Sequence, residues 1–247
     1  MKKIGLLGGM AWPSTIDYYR AICEGANAHF RAEGAALPLP VPWITIDSVN
    51  IAETRALRGR EGDEGSWAAY DAMLLGVFER LVAAGCEVLA MASNTPHARL
   101  HAIRDRVKTP IVSILDETAK AASESGTARA LVLGTSVTME GAHYPRTLRE
   151  HGVTPNEPVP QDEIDAMQHL IDTEFYEGAT PKGRAGLLEM CERHVADPRD
   201  TSVLLACTEL PLAYPEHRDE AVFEADGYHF VNTAAAHVAA ILRTALP

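Results

Sequence analysis

Nowhere in its 247 residues does the chain carry an apolar run approaching the ~20 residues that a membrane-spanning helix needs. No membrane partner is therefore expected. Positive charge is scarce as well: 22 lysines and arginines stand against 34 acidic residues, a formal net charge of −12. Nucleic-acid binding requires a basic face, so no nucleic-acid partner is expected either. An anionic small molecule would have to be held by local donors, because the overall field repels it. Only four cysteines occur (Cys23, Cys86, Cys191 and Cys207), widely spaced and with no Cys-x-x-Cys pair. That excludes a disulfide framework or a cysteine zinc site, and no metal is expected. Three glycine and serine motifs are also missing. Gly5-Leu6-Leu7-Gly8-Gly9 fails the dinucleotide spacing and no P-loop lysine follows it. Ser93 does not sit in a G-x-S-x-G elbow, which argues against a serine hydrolase.

What remains is an ordinary globular composition, 47% apolar and 23% charged. Short apolar runs at 3–7, 41–47, 87–92, 110–114, 127–134, 203–206 and 230–232 predict strands, and 153–158 predicts a proline-bearing edge strand. Apolar residues at three- and four-residue spacing predict helices near 13–30, 66–84, 116–125, 142–151, 161–176, 185–195 and 233–246. Such alternation predicts an α/β protein with mostly parallel sheets flanked by helices. Met1-Lys2-Lys3-Ile4 enters a strand pattern without the small-residue cleavage site of a signal peptide. A cytoplasmic location follows as the expectation, and a reducing compartment suits a free thiol.

The stretch Val203–Leu212 organises the rest. Its apolar run leads into Cys207, and Thr208 and Glu209 then read as the opening of a helix. Ligands in open α/β sheets bind beyond the carboxyl ends of strands. A thiol there, at a helix N-terminus, is expected to have a lowered pKa; Cys207 reads equally as a buried small hydrophobe. The segment has a second copy: Val88–His97 repeats the pattern, with Ser93 on Cys207 and Ala92 on Ala206. Ile4–Met10 and Ala130–Ser136 form another pair, with Gly8 on Gly134. Two related halves would each offer one polar group at a strand end. If they face one another, Ser93 and Cys207 line opposite walls of one cleft.

These residues carry a family resemblance. Gly8-Gly9-Met10, the run Ser93-Asn94-Thr95-Pro96-His97, Leu133-Gly134-Thr135 and Cys207-Thr208-Glu209-Leu210 occur in an order that resembles the aspartate/glutamate racemase family. That superfamily of cofactor-independent amino-acid racemases also contains hydantoin racemases, maleate isomerases and arylmalonate decarboxylases. The resemblance spans essentially the whole chain and implies two pseudo-symmetric α/β domains. They would comprise residues 1–115 plus 230–247, and residues 116–229, with the active site in the cleft between. It implies no cofactor, a small amino acid or dicarboxylate as partner, and a possible homodimer. Cys207 and Ser93 would be the catalytic pair. Gly9, Met10, Ser48, Asn94, Thr95, Thr135, Thr138, Lys182, Thr208 and Glu209 would contact substrate. Arg55 and Arg58 also lie where either could meet a carboxylate or merely be solvated. Two departures stand out: the family usually has cysteine where Ser93 stands, and commonly aspartate where Asn232 stands.

Racemisation removes a proton from one face of the α-carbon and returns one to the other. A thiol suits both steps, since it titrates near ~8.5. A serine hydroxyl has no comparable acidity and needs an adjacent base. The expectation is an amino-acid racemase in which Cys207 does the proton transfer and Ser93 is weak. A one-thiol decarboxylase or isomerase, and an inactive carboxylate-binding protein, stand as alternatives.

Overall fold

The computed structural model describes residues 1–60, 62–175 and 179–247, and falls into two compact units, Met1–Ser113 with His237–Pro247 and Ile114–Ala236. The first part of the chain forms β1 (Ile4–Gly8), α1 (Trp12–Ala32), β2 (Ile44–Ser48), α2 (Ile51–Ala56), α3 (Ala68–Ala83), β3 (Val88–Met91) and α4 (Leu100–Ile103). The second part forms α5 (Ile114–Glu124), β4 (Arg129–Gly134), α6 (Ser136–Glu140), α7 (His143–Glu150), β5 (Thr154–Pro155), α8 (Gln161–Glu174) and α9 (Pro181–His194). It ends with β6 (Thr201–Ala206), β7 (Val222–Ala225), β8 (Tyr228–Asn232) and α10 (Thr233–Ala245). The expected end of the 161–176 helix at Tyr176 lies outside the described residues.

The first unit is built on a parallel sheet of order β2-β1-β3. Every residue of β1 and β3 is buried, as parallel strands covered on both faces require. Helix α1 starts with proline in its first turn, where a missing N–H costs nothing. One of its faces (Ser14, Tyr18, Ile22, Ala26) is buried at four-residue spacing. The end of the chain packs on this face. A Cβ on Gly25 would lie 2.3 Å from Leu242 Cδ1, so glycine there leaves room for the tip of the Leu242 side chain of α10. The Tyr18 hydroxyl donates to His237 Nδ1 at 2.9 Å. The strand expected at 110–114 is absent. Only Ile111 bridges to Leu89, because Pro110 lacks an N–H to donate and the chain enters α5 at Ile114.

The second unit holds a five-stranded sheet of order β5-β4-β6-β8-β7, parallel except for β7, which runs antiparallel to β8. Its central strand β6 is buried throughout. Alternate residues serve opposite layers. Leu131, Leu133, Val203 and Leu205 pack with Met167, Ile171, Leu187 and Cys191 of α8 and α9. Ala130, Leu204, Ala206 and Val231 pack with Ile114, Ala119, Tyr144 and Leu148 of α5 and α7. At ~1.5–3 kcal/mol for each fully buried large aliphatic or aromatic side chain, β6 anchors both layers.

Strands β7 and β8 form a hairpin whose turn is Asp226-Gly227, both with positive φ (51° and 82°); Asp-Gly is the residue pair such a turn requires. One expectation is corrected here: strand β8 pairs with β6, so residues 230–232 belong to the second sheet, and the chain returns to the first unit only at His237 rather than at 230. After β4 the chain enters the short helix α6.

Candidate active site

In the second unit the site is built at the adjacent ends of β4 and β6. Their register sets Gly134 opposite Ala206, and a Cβ on Gly134 would fall 2.6 Å from the Ala206 carbonyl oxygen. Glycine is therefore what lets the two strands end side by side, with Thr135 and Cys207 the next residues along each. Beyond Cys207 the chain turns and makes only a 3-10 helix, Leu210–Ala213. The α-helix expected to open at Thr208 and Glu209 does not form, and its dipole does not act on the sulfur.

Instead Glu209 folds back. The Cys207 thiol donates to Glu209 Oε2 at 2.8 Å, and the Thr208 hydroxyl donates to the same oxygen at 3.1 Å. Both Cys207 and Glu209 are buried. Burial, then the Glu209 carboxylate, and more weakly Asp172 push the thiol well above its ordinary pKa. This contradicts the lowered pKa expected from sequence: Cys207 is a neutral thiol held by a carboxylate. Glu209, expected to contact substrate, here holds the sulfur.

Around this pair stand Thr135 and Thr138, whose hydroxyl oxygens lie 3.1 Å apart. The Ser136 amide donates to Gln168 Oε1 at 3.0 Å, and Gln168 Nε2 donates to Asp172 Oδ2 at 3.0 Å. Thus α8 places an amide and a second carboxylate beside the strand ends, two residues that sequence reasoning missed because their link to the site is a tertiary contact. Lys182 lies exposed in the first turn of α9, whose cap is Thr180.

The first unit repeats the plan. The β1–β3 register, extended one residue, sets Gly8 opposite Ala92, as Gly134 stands opposite Ala206. The repeat seen in sequence is thus a repeat of strand pairing. Ser93 is half-buried, Asn94 and Thr95 are buried, and a 3-10 helix (Thr95–Arg99) follows, as after Cys207. His97 Nδ1 donates to the Ser93 carbonyl at 2.8 Å, so its contact with Ser93 runs through the backbone. Its ring meets His237 edge-on, centroids 5.5 Å apart.

At the end of β1, Gly9 has φ 82°, and a Cβ there would lie 2.1 Å from the Val49 carbonyl oxygen. Its amide donates to Thr15 Oγ1 at 2.9 Å. Met10 is buried with its sulfur 4.0 Å from the Tyr70 hydroxyl. That phenol is pushed up to about 12 by burial, with Arg58 beside it pulling the other way. Of the two arginines left open in sequence, Arg58 thus reaches the phenol that meets Met10. Ser48 is exposed at the end of β2, next to Gly9.

The other cysteines take no part. Cys86 and Cys191 are buried, and burial raises Cys191 to about 12; Cys23 is half-buried with its thiol also raised. His97 and His101 stand four residues apart, yet His97 is buried on Ser93 and His101 Nδ1 lies 3.1 Å from the Ala98 carbonyl. Among the described residues no group of three His, Cys, Asp or Glu side chains is placed to hold a metal.

A strand ending in glycine, beside a strand ending in a small proton-bearing side chain, occurs once in each unit. That duplicated plan defines a two-unit α/β protein with a like pair of strand ends in each unit. The chain belongs to the Asp/Glu/Hydantoin racemase family, whose profile matches residues 7–241. It is 27% identical over 149 residues to the broad specificity amino-acid racemase RacX of Bacillus subtilis, covering 60% of this chain and 61% of that protein. The chain thus spans less than two thirds of the length of that curated relative. Two solved structures match over 100% of both chains at 27% identity. One is an aspartate racemase homologue, PH1733, from Pyrococcus horikoshii (TM-score 0.76). The other is a putative Asp/Glu racemase from Yersinia pestis (TM-score 0.78).

Proposed function

We propose that this protein is a cofactor-independent racemase of the aspartate/glutamate type in which proton transfer is carried by Cys207 and Glu209 acting as a pair. The observation that supports this most is the thiol–carboxylate hydrogen bond of 2.8 Å in a buried strand end. A thiol with a raised pKa is a poor base alone. Beside Glu209 it can pass its proton to the carboxylate when a substrate arrives. The thiolate then takes the α-proton, and the resulting thiol can return it. The backbone amides of the Thr208 turn, with Thr135 and Thr138, would hold the α-carboxylate, into which carbanion charge spreads. Ser93 is the weak second group, and exchange on its side is slow.

The test is deuterium incorporation at Cα from heavy water into each enantiomer of aspartate and glutamate. Exchange is expected with one enantiomer far faster than with its mirror image, and is lost in Cys207→Ala. A folded protein that exchanges neither enantiomer of either amino acid refutes the reading. In Ser93→Cys the two rates are expected to converge.

One observation favours a second reading. A thiol kept neutral is a ready proton donor, which suits one-faced protonation of a carbanion made by decarboxylation. Carbon dioxide release from a substituted malonate, without amino-acid exchange, would mark that reaction.

A further inference from the structure

We propose that Arg184 is a positioning residue for the Cys207–Glu209 pair, a role that rests on the reading of that pair as the proton carrier. Arg184 lies in the first turn of α9, and its guanidinium meets three segments at once. Its Nε and Nη2 donate to Asp226 Oδ2 at 3.1 and 2.8 Å, in the turn of the β7–β8 hairpin. Its Nη1 donates to the carbonyl of Ala213 at 3.4 Å, the last residue of the 3-10 helix that follows Cys207. Its central carbon sits over the Tyr214 ring, 4.5 Å from the centroid. A planar fork of five donors can serve a carboxylate, a carbonyl and a ring face together, which an ammonium cannot.

The turn from Cys207 to Tyr214 is thereby fixed at both ends. At its start, β6 is held in register with β4 up to Ala206. At its finish, Tyr214 is buried against Phe230 and Phe223, with ring centroids 4.8 and 5.3 Å away. Between them the chain winds by i→i+3 bonds: the Leu210, Leu212 and Tyr214 amides donate to the Cys207, Glu209 and Pro211 carbonyls at 3.1, 3.0 and 3.0 Å. Such bonds have poorer geometry than those of an α-helix, so a short 3-10 turn depends on outside support. Arg184 supplies it from α9, with Asp226 as its anchor; Glu216 Oε1 lies farther off, 3.8 Å from Nη1. The Arg184 and Asp226 side chains are 37% and 30% exposed, so the ion pair adds little stability by itself. What it fixes is the path of the turn, and that path sets the Glu209 carboxylate 2.8 Å from the Cys207 sulfur.

Alkylation of Cys207 by iodoacetamide, followed by mass spectrometry of its peptide between pH 6 and 10, reads the thiol without any substrate. In Arg184→Met the rate at pH 8 is expected to rise about 3- to 10-fold, while Cα exchange falls at least ~10-fold and far-ultraviolet circular dichroism is unchanged. Arg184→Lys keeps the charge but not the fork, and is expected to fall between wild type and Arg184→Met. Glu209→Gln leaves no carboxylate to aim, so adding Arg184→Met to it is expected to change the alkylation rate less than ~2-fold. A merely loosened fold would speed alkylation in both backgrounds. Asp226→Asn removes the anchor with a residue that tolerates the same positive φ, and carries the same comparison if Arg184→Met fails to fold. Equal acceleration with and without Glu209, or an unchanged Cys207 rate in both Arg184→Met and Asp226→Asn, overturns the proposal. A wild-type protein that exchanges neither amino acid refutes the racemase reading instead, and the alkylation comparison still decides the role of Arg184 at the thiol.

Discussion

His237 sets a sharp test of how this fold responds to acid. Its ring is fully buried, with Nε2 3.0 Å from the Val112 carbonyl and Nδ1 2.9 Å from the Tyr18 hydroxyl. A carbonyl only accepts, so Nε2 carries the proton. Nδ1 is then bare and accepts from the phenol. This is a neutral imidazole with both nitrogens used. Burial pulls its pKa from 6.5 down to about 4, against a small opposing pull from the Val112 carbonyl. Because the folded value lies below the unfolded one, the unfolded chain binds the extra proton. The contribution is intact above the unfolded pKa and is lost as pH falls from there toward the folded value. At about 1.4 kcal/mol per pH unit the full loss is about 3 kcal/mol, of which about 2 kcal/mol falls between pH 7 and 4.5.

His237→Gln isolates that term. Glutamine can offer an amide N–H to Val112 and a carbonyl to Tyr18 but cannot titrate. Urea unfolding of wild type and variant, followed by tryptophan emission at several pH values, gives the difference in stability. Carboxylate titrations common to both proteins cancel in it. The variant is expected to be less stable at pH 7, and about 2 kcal/mol of its deficit should vanish by pH 4.5. A deficit that stays constant or widens over that range refutes the assignment. The consequence reaches the site, since His237 packs edge-on against His97, which holds the Ser93 carbonyl.

Two further substitutions have signs fixed by the structure. Glu209→Gln removes a carboxylate that, after burial itself, does most to raise the Cys207 pKa. Alkylation of Cys207 at pH 8 should speed up by roughly 10-fold while Cα exchange falls at least ~100-fold, so the two readouts move in opposite directions. Unchanged alkylation would show that Glu209 does not govern the thiol. Asn232→Asp installs the residue the family commonly has. Asn232 is buried; its Nδ2 donates to the Arg218 carbonyl at 2.9 Å and its Oδ1 accepts from the Ala235 amide at 3.1 Å. Aspartate keeps the helix cap, worth ~0.3–1 kcal/mol more when charged, but sets oxygen against the Arg218 carbonyl at a cost of ~1–3 kcal/mol. A net loss of about 1–2 kcal/mol in chemical denaturation at pH 7 is expected, and equal or greater stability would contradict it.

The sheet and helix alternation was legible because buried parallel strands such as β1 and β6 are unbroken apolar runs. The same signal misled at 110–114, where an apolar run makes one bridge and then a helix. The β7–β8 hairpin lay in plain sight at Asp226-Gly227, hidden by the charged residues before it. The state of Cys207 could not be read at all. Whether Glu209 caps a helix or turns back onto the sulfur depends on the backbone of three residues, and those two outcomes shift the thiol in opposite directions. Gln168 and Asp172 belong to the same category, since they reach the strand ends only through the packing of α8.

The raised thiol pKa bears directly on how a one-thiol member of this family could work. A lone buried thiol whose pKa is raised, such as Cys191, has no neighbouring group among the described residues to take its proton in this way. Cys207 differs because the group that raises its pKa is also a proton acceptor in hydrogen-bond contact with it. In the racemase reading, forming the thiolate requires a shift of the thiol proton by one hydrogen bond to Glu209 rather than its release to water. At the other strand end, His97 spends its Nδ1 proton on the Ser93 carbonyl, and that bond does nothing to make the hydroxyl basic. In the racemase reading, proton traffic therefore runs chiefly through the Cys207 side. The enantiomer whose Cα–H points at sulfur should exchange quickly with solvent deuterium, while conversion to its mirror image waits on Ser93.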